Sequence, residues 1–260
     1  MHRIDRPLEP NSFLQYRLQN PNERNWDEFN SKSAYYDAQK VLWANQSGLC
    51  AYCEVSIPHT KGENGDKVPL PGKLRIEHFH AKADPDKSHN WMLDWNNIVG
   101  VCMAGGKGDD RHCDARKEDV QNGDIKVDGV PKGFVFEGYI LNPYDMPNEC
   151  LFRYESDGRL LPDSEVCARV AVRGNKHRST EILVDRTIQV LNLNSATLRR
   201  QRKAVAREYE QKRKTLRSRA DRSISGLIAE EWFGNHRVMQ FFTTRRCLLK
   251  GKAEPYIAAN

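Results

Sequence analysis

The sequence predicts an α+β protein, and three observations predict it. A segment of helical period leads into a Cys-x-x-Cys knuckle at Cys50 and Cys53. A short strand from Lys73 to Phe79 carries Glu77-His78, and a helix opens at Asp114, directly after Cys113. A β-rich middle segment then gives way, from Lys176 onward, to long helical patterning.

Element by element, the expectation runs as follows. Residues 1–22 hold Pro7, Pro10 and Pro21 and predict an extended arm. Trp26, Phe29, Ala34, Ala38, Val41 and Leu42 recur at helical spacing and predict one helix to Asn45. Pro58, Gly62, Gly65, Pro69, Pro71 and Gly72 make residues 58–73 a loop. Gly133–Leu141 and Leu151–Glu155 read as strands, with a hairpin turn at Ser156-Asp157-Gly158. Ile182, Val184, Ile188 and Leu191, then Leu198, Val205, Tyr209 and Leu216, carry the C-terminal helices. The expected divisions are 1–46 (arm and helix), 47–122 (core), 123–175 (β-rich) and 176–260 (basic, helical).

The spacing Cys50-x-x-Cys53 lets two thiolates reach one zinc ion. Cys102 and Cys113 form a looser second pair, separated by Met103 to His112. That insert holds Gly105, Gly106, Lys107, Gly108, Asp109 and Asp110, which predicts a flexible, solvated loop. Four cysteine ligands are the simplest zinc site; His112 in place of one cysteine is the alternative. No βαβ context supports a redox motif. Cys150, Cys167 and Cys247 stand apart and default to small buried hydrophobes.

Composition narrows the classes. The 260 residues suffice for a real core in one domain or two small ones. No apolar run approaches a membrane span. Met1 to Pro7 shows no apolar signal region, so a cytoplasmic protein with no membrane partner is expected. A net charge of +6 is compatible with a nucleic-acid partner without demanding one. Between Leu198 and Arg222 eleven Lys or Arg face three acidic residues. Among them, Arg199, Arg200 and Lys203 are candidate phosphate contacts. A solvated helix face, or a docking helix for an acidic partner, fits the same pattern.

Glu77, His78, Asn97 and Asp114 suit a hydrolytic centre. A strand end or bulge is needed to aim Glu77 and His78 at one site, because neighbours in a strand point to opposite faces. Glu77 and Asp114 offer oxygen to a hard cation, Mg²⁺ or Mn²⁺. His78 is the candidate general base. Asn97 is expected to hydrogen-bond the His78 ring or neighbouring backbone; Asn96 is the other candidate. Attack of water on phosphorus would leave 5′-phosphate and 3′-hydroxyl ends. The competing structural roles are a satisfied core histidine for His78, a turn cap for Asn97 and a helix N-cap for Asp114. His80 is a weaker second candidate base. Trp91 and Trp95 are expected in the core, and His59, His80, His89, His177 and His236 in solvent.

At these residues the sequence resembles the HNH endonucleases, whose core is a ββα-metal motif. The pattern reads Glu77-His78, Asn97-Ile98, Cys102, then Cys113-Asp114-Ala115-Arg116-Lys117. A narrower resemblance is to the HNH subunit of Septu-type and related retron antiphage systems. Its residues are Cys50-Ala51-Tyr52-Cys53-Glu54, Ile76-Glu77-His78-Phe79, Asp94-Trp95-Asn96-Asn97, Leu141-Asn142-Pro143 and Val190-Leu191-Asn192-Leu193-Asn194. The resemblance implies a DNA endonuclease held in check by an ABC- or SMC-like ATPase subunit. It adds Lys82 and Lys117 as candidate phosphate contacts. Asp114 departs from the family's usual His or Asn, and Phe79-His80-Ala81-Lys82 from the subfamily's Phe-x-Pro-Lys. The chain itself shows no Walker pattern. The rival from another class is a non-catalytic zinc-ribbon adaptor, and RNA cleavage ranks below DNA because no aromatic single-strand platform is evident.

Overall fold

The computed structural model describes residues 1–86, 88–103, 108–217 and 223–257, and for His236 the backbone only. Gly105, Gly106 and Lys107 of the cysteine insert lie outside the described residues, as does the end of the basic stretch beyond Arg217.

Residues 11–19, expected in an extended arm, form helix α1 (Asn11–Gln19). Tertiary packing overrides the flanking prolines: Phe13 is buried edge-on against Phe29 and beside Trp95. The single helix expected from Trp26 is two. Asn25 caps α2 (Trp26–Phe29) by accepting from the Asp27 and Glu28 amides. The chain then turns before α3 (Ser33–Asn45), which buries Ala34, Ala38 and Leu42 along one face.

After the knuckle, β1 (His59–Lys61) and β2 (Lys67–Pro69) pair as a small exposed hairpin within the expected loop. The core follows: β3 (Leu74–His78) and β4 (Ile98–Cys102) pair antiparallel, from Leu74 opposite Cys102 to His78 opposite Ile98. Helix α4 (Asp114–Asn122) completes a ββα unit, as the α+β expectation required. Gln46, 2% exposed, fastens α3 to this unit. Its amide donates to the Leu49 and Gly100 carbonyls and its oxygen accepts from the Gly100 amide at 2.7 Å. A β-carbon at Gly100 would sit 3.2 Å from that oxygen, so a larger residue there would press on Gln46.

The middle segment is less β-rich than its sequence suggests. Only β5 (Phe152–Tyr154) and β6 (Leu160–Pro162) pair there, around the expected turn. Gly133–Leu141 is irregular, because its backbone serves other partners: Phe134 accepts from the Ala81 amide. The rest of the described chain is helical: α5 (Ser164–Arg169), α6 (Thr180–Val190), α7 (Ala196–Leu216), α8 (Ile224–Phe233), α9 (Phe242–Leu249) and α10 (Glu254–Ile257). Two apolar clusters result, a large one around the ββα unit and a smaller one among α7 to α10. No described helix is long and apolar enough to cross a membrane.

Candidate active site

The cysteine frame is assembled by local backbone geometry. The knuckle closes by bonds from the Cys50 amide to Val55 and from the Glu54 amide to Cys50. Cys113, at the start of α4, takes a φ of 57°, which is uncommon for a residue with a side chain. Its amide donates to the Leu191 carbonyl at 2.8 Å. The described end of the insert is anchored, not free: Asn192 donates to the Asp109 and Arg111 carbonyls, and Asp110 accepts from Thr197.

The four sulfurs lie within 4.8 Å of one another. Cys50–Cys113 and Cys53–Cys102 are each 3.7 Å apart and Cys102–Cys113 is 4.0 Å. Four thiolates at about 2.3 Å from one tetrahedral zinc stand about 3.8 Å apart, so the donor set and its spacing fit that ion. His112 Nδ1 sits 3.2 Å from Cys113 Sγ, where it can orient the sulfur without replacing a ligand.

Next to this frame, β3 and α4 bring carboxylates together. Side chains alternate along β3: Leu74, Ile76 and His78 are buried, while Arg75 and Glu77 are half-buried. Pairing runs unbroken through His78, so the expected bulge is absent. Glu77 and Arg75 therefore share the face that meets α4, and His78 takes the other. Asp114 Oδ2 accepts from Arg75 at 2.6 Å; its Oδ1 is buried and has no partner among the described residues. Burial, and then the nearby Glu77 carboxylate, push the Asp114 pKa up to about 6. Tyr52, fully buried within the knuckle, also has a hydroxyl with no described partner. Burial first, then Glu77 and Asp114, push that hydroxyl well above its ordinary range.

Lys117 does not face solvent, which corrects its place as a nucleic-acid contact. It is 2% exposed and donates to Glu77 Oε1 and to the His78 carbonyl, both at 2.7 Å. Its ammonium also lies 4.6 Å from the Phe136 ring centre.

His78 is buried, with Nε2 3.0 Å from the Met92 carbonyl. That bond makes Nε2 the protonated nitrogen and leaves Nδ1 with a lone pair. Burial pulls the pKa to about 3, with Lys82 and Lys117 adding to it, so the ring is neutral. Trp26 stands edge-on to it at 4.7 Å, and Lys82 Nζ lies 4.8 Å from the Trp26 ring. Asn97 bonds backbone and not the His78 ring. Its oxygen accepts from the His80 amide at 2.7 Å and its nitrogen donates to the His80 and Trp91 carbonyls at 2.9 and 3.0 Å. Asn96 is exposed.

The comparison that bears on this geometry covers nearly the whole chain. The chain is 29% identical to a protein of Escherichia coli named as an HNH endonuclease of retron Ec83. The alignment takes in 96% of this chain and 93% of the relative. This chain resembles the four-cysteine HNH endonucleases. No family model matches it.

Several residues around the HNH-like core escaped the sequence. His80, expected in solvent, is buried between Asp84 and Glu137 at 2.7 and 3.0 Å and stacked on Trp91. Arg75 reaches Asp114, and buried Tyr52 feels the charge of both carboxylates; alternation from Glu77 marks Arg75, but nothing local marks Tyr52. On α7, Arg199 is paired with Asp157, while Arg200 and Lys203 are exposed. Arg202 is buried on the Leu193 carbonyl at 2.6 Å.

Proposed function

We propose that this chain is a metal-dependent HNH endonuclease that hydrolyses phosphodiester bonds in DNA. The observation that carries this is Asp114, whose buried Oδ1 lacks a partner among the described residues and whose carboxyl feels the charge of nearby Glu77, beside the strand that ends in His78. A buried carboxylate oxygen without a donor is costly unless a cation meets it. Glu77 and Asp114 would hold Mg²⁺ or Mn²⁺, which when bound offsets charge on the scissile phosphate.

In this reading each residue has a defined task. His78 is the candidate general base: Met92 fixes its ring and Nδ1 has no partner among the described residues. It lies on the face of β3 opposite Glu77, so reaching a water held by the carboxylate pair needs the strand end to rearrange. Asn97 holds the backbone two residues on. Lys117 and Arg75 balance the charges of Glu77 and Asp114. Lys82, leaving the Trp26 face, would expose His78 and meet phosphate. Arg200 and Lys203 would contact the DNA backbone, giving affinity that falls with salt. The zinc held by Cys50, Cys53, Cys102 and Cys113 is structural. Resemblance to the retron and Septu-type subunits supports a role as effector of an antiphage complex gated by an ABC- or SMC-like ATPase.

A plasmid-nicking assay with Mg²⁺ or Mn²⁺, with and without the co-purified partner, tests this. His78→Ala should lower cleavage on the order of 10²–10⁴-fold with zinc retained. Unchanged cleavage in that variant removes His78 from its role, and no cleavage under any condition favours the adaptor.

A further inference from the structure

Outside the zinc frame, two of the three remaining cysteines are not isolated. Cys150, just before β5, and Cys247, on α9, place their sulfurs 3.8 Å apart across 97 residues of chain. Both are half-buried, against the default expected from sequence. They face one acceptor: Cys247 Sγ lies 3.1 Å and Cys150 Sγ 3.4 Å from the Phe152 carbonyl. Cys150 also lines a cavity of about 330 Å³, together with Asn148, Arg246 and Tyr256. Cys167, by contrast, is buried and bonded to the Leu151 carbonyl.

We infer that Cys150 and Cys247 form a peroxide-reactive dithiol, with small hydroperoxides as its substrate class and a Cys150–Cys247 disulfide as its product. Cys150 is the attacking sulfur. It is the one of the two that lines the cavity, and the Arg246 guanidinium, held by Glu254 and by the Asn148 carbonyl at 2.7 Å, stands beside it and favours the thiolate. The Cys150 thiolate attacks one peroxide oxygen; the O–O bond breaks and hydroxide leaves, giving a sulfenic acid. Cys247 sulfur then attacks the sulfenic sulfur; the S–S bond forms, the S–O bond breaks, and the hydroxyl leaves as water with the Cys247 proton. Two thiols are oxidised and one hydroperoxide is reduced, to two waters when it is hydrogen peroxide. A dithiol reduces the product back.

The bond would tie the β5–β6 hairpin to α9. That helix is already joined to the zinc knuckle: Glu54, directly after Cys53, accepts from the Thr243 amide and hydroxyl at 3.0 and 2.7 Å.

The test treats the full-length, zinc-loaded protein with hydrogen peroxide, then maps peptides by mass spectrometry without reduction while zinc is quantified. The expected product is one cross-link joining residues 150 and 247, lighter by two hydrogen atoms, reversed by dithiothreitol, with zinc retained. Cys150→Ser and Cys247→Ser should abolish it, and Cys167→Ser should leave it. Sulfinic acid without the cross-link, or zinc release with cross-links among Cys50, Cys53, Cys102 and Cys113 as first product, would overturn the inference.

Discussion

Asn97 offers the sharpest energetic test of how this site is held. It is 6% exposed and makes three hydrogen bonds, all to backbone. Asn97→Ala leaves the His80 amide and the His80 and Trp91 carbonyls without those partners. Each buried group so abandoned costs about 1–3 kcal/mol. Carbonyls retain a second lone pair and lose less, so the sum should fall at about 3–6 kcal/mol. That is a fifth or more of a domain stability of about 5–15 kcal/mol. Urea unfolding at fixed zinc reads it: with a slope of about 2–3 kcal/mol/M, the midpoint should drop by about 1–3 M at unchanged slope. Asn97→Asp keeps the acceptor for the His80 amide and loses both donors, so it should fall between. A loss below about 1 kcal/mol in Asn97→Ala would refute the clamp.

The remaining expectations concern charge, metal and the buried tyrosine. Asp114 titrates near 6 when folded, above the ordinary 3.8, a difference worth about 3 kcal/mol. Its contribution is fully present below pH 3.8 and lost as pH rises to 6, so at pH 7 Asp114→Asn should stabilise the Mg²⁺-free protein while nicking falls. Urea midpoints at pH 5 and 7 read the first effect; a variant no more stable than the parent at pH 7 would refute the orphaned-oxygen account. Chelation of zinc should disorder the ββα unit and abolish nicking, with both restored by added zinc. An unchanged thermal midpoint after chelation would take the cysteines out of their framing role. Tyr52→Phe removes a hydroxyl without a described partner, so stability should hold or rise while metal-supported nicking falls. Full activity in that variant would make Tyr52 a packing residue.

How much of this was legible depends on how far each contact reaches along the chain. The four cysteines were readable because ligand spacing and chemistry leave few solutions. Lys117 was readable in part: it stands one helical turn from Asp114, so the two share a face of α4. What local pattern could not say is that Glu77, on a strand 40 residues earlier, would claim its ammonium group. The same holds for His80, whose second carboxylate, Glu137, lies 57 residues away. The regular strand through His78 is the opposite case: alternation alone separates it from Glu77, and the bulge that would override alternation is not formed. Asn30–Lys32, where the predicted single helix breaks, has no proline or glycine; packing of Trp26 and Phe29 decides the turn.

The turn between α6 and α7 has a consequence beyond holding the cysteine loop. Leu191 receives the Cys113 amide, Asn192 grips the insert, Asn194 bonds both backbone groups of Leu160, and the basic helix begins at Ala196. Filling the thiolate cage and, on the proposed DNA contact, loading α7 with a polyanion would thus act on one short piece of backbone. Linkage between two such sites is reciprocal: whatever factor zinc confers on polyanion affinity, the polyanion confers on zinc affinity. A single titration, run in either direction, measures the stiffness of that joint.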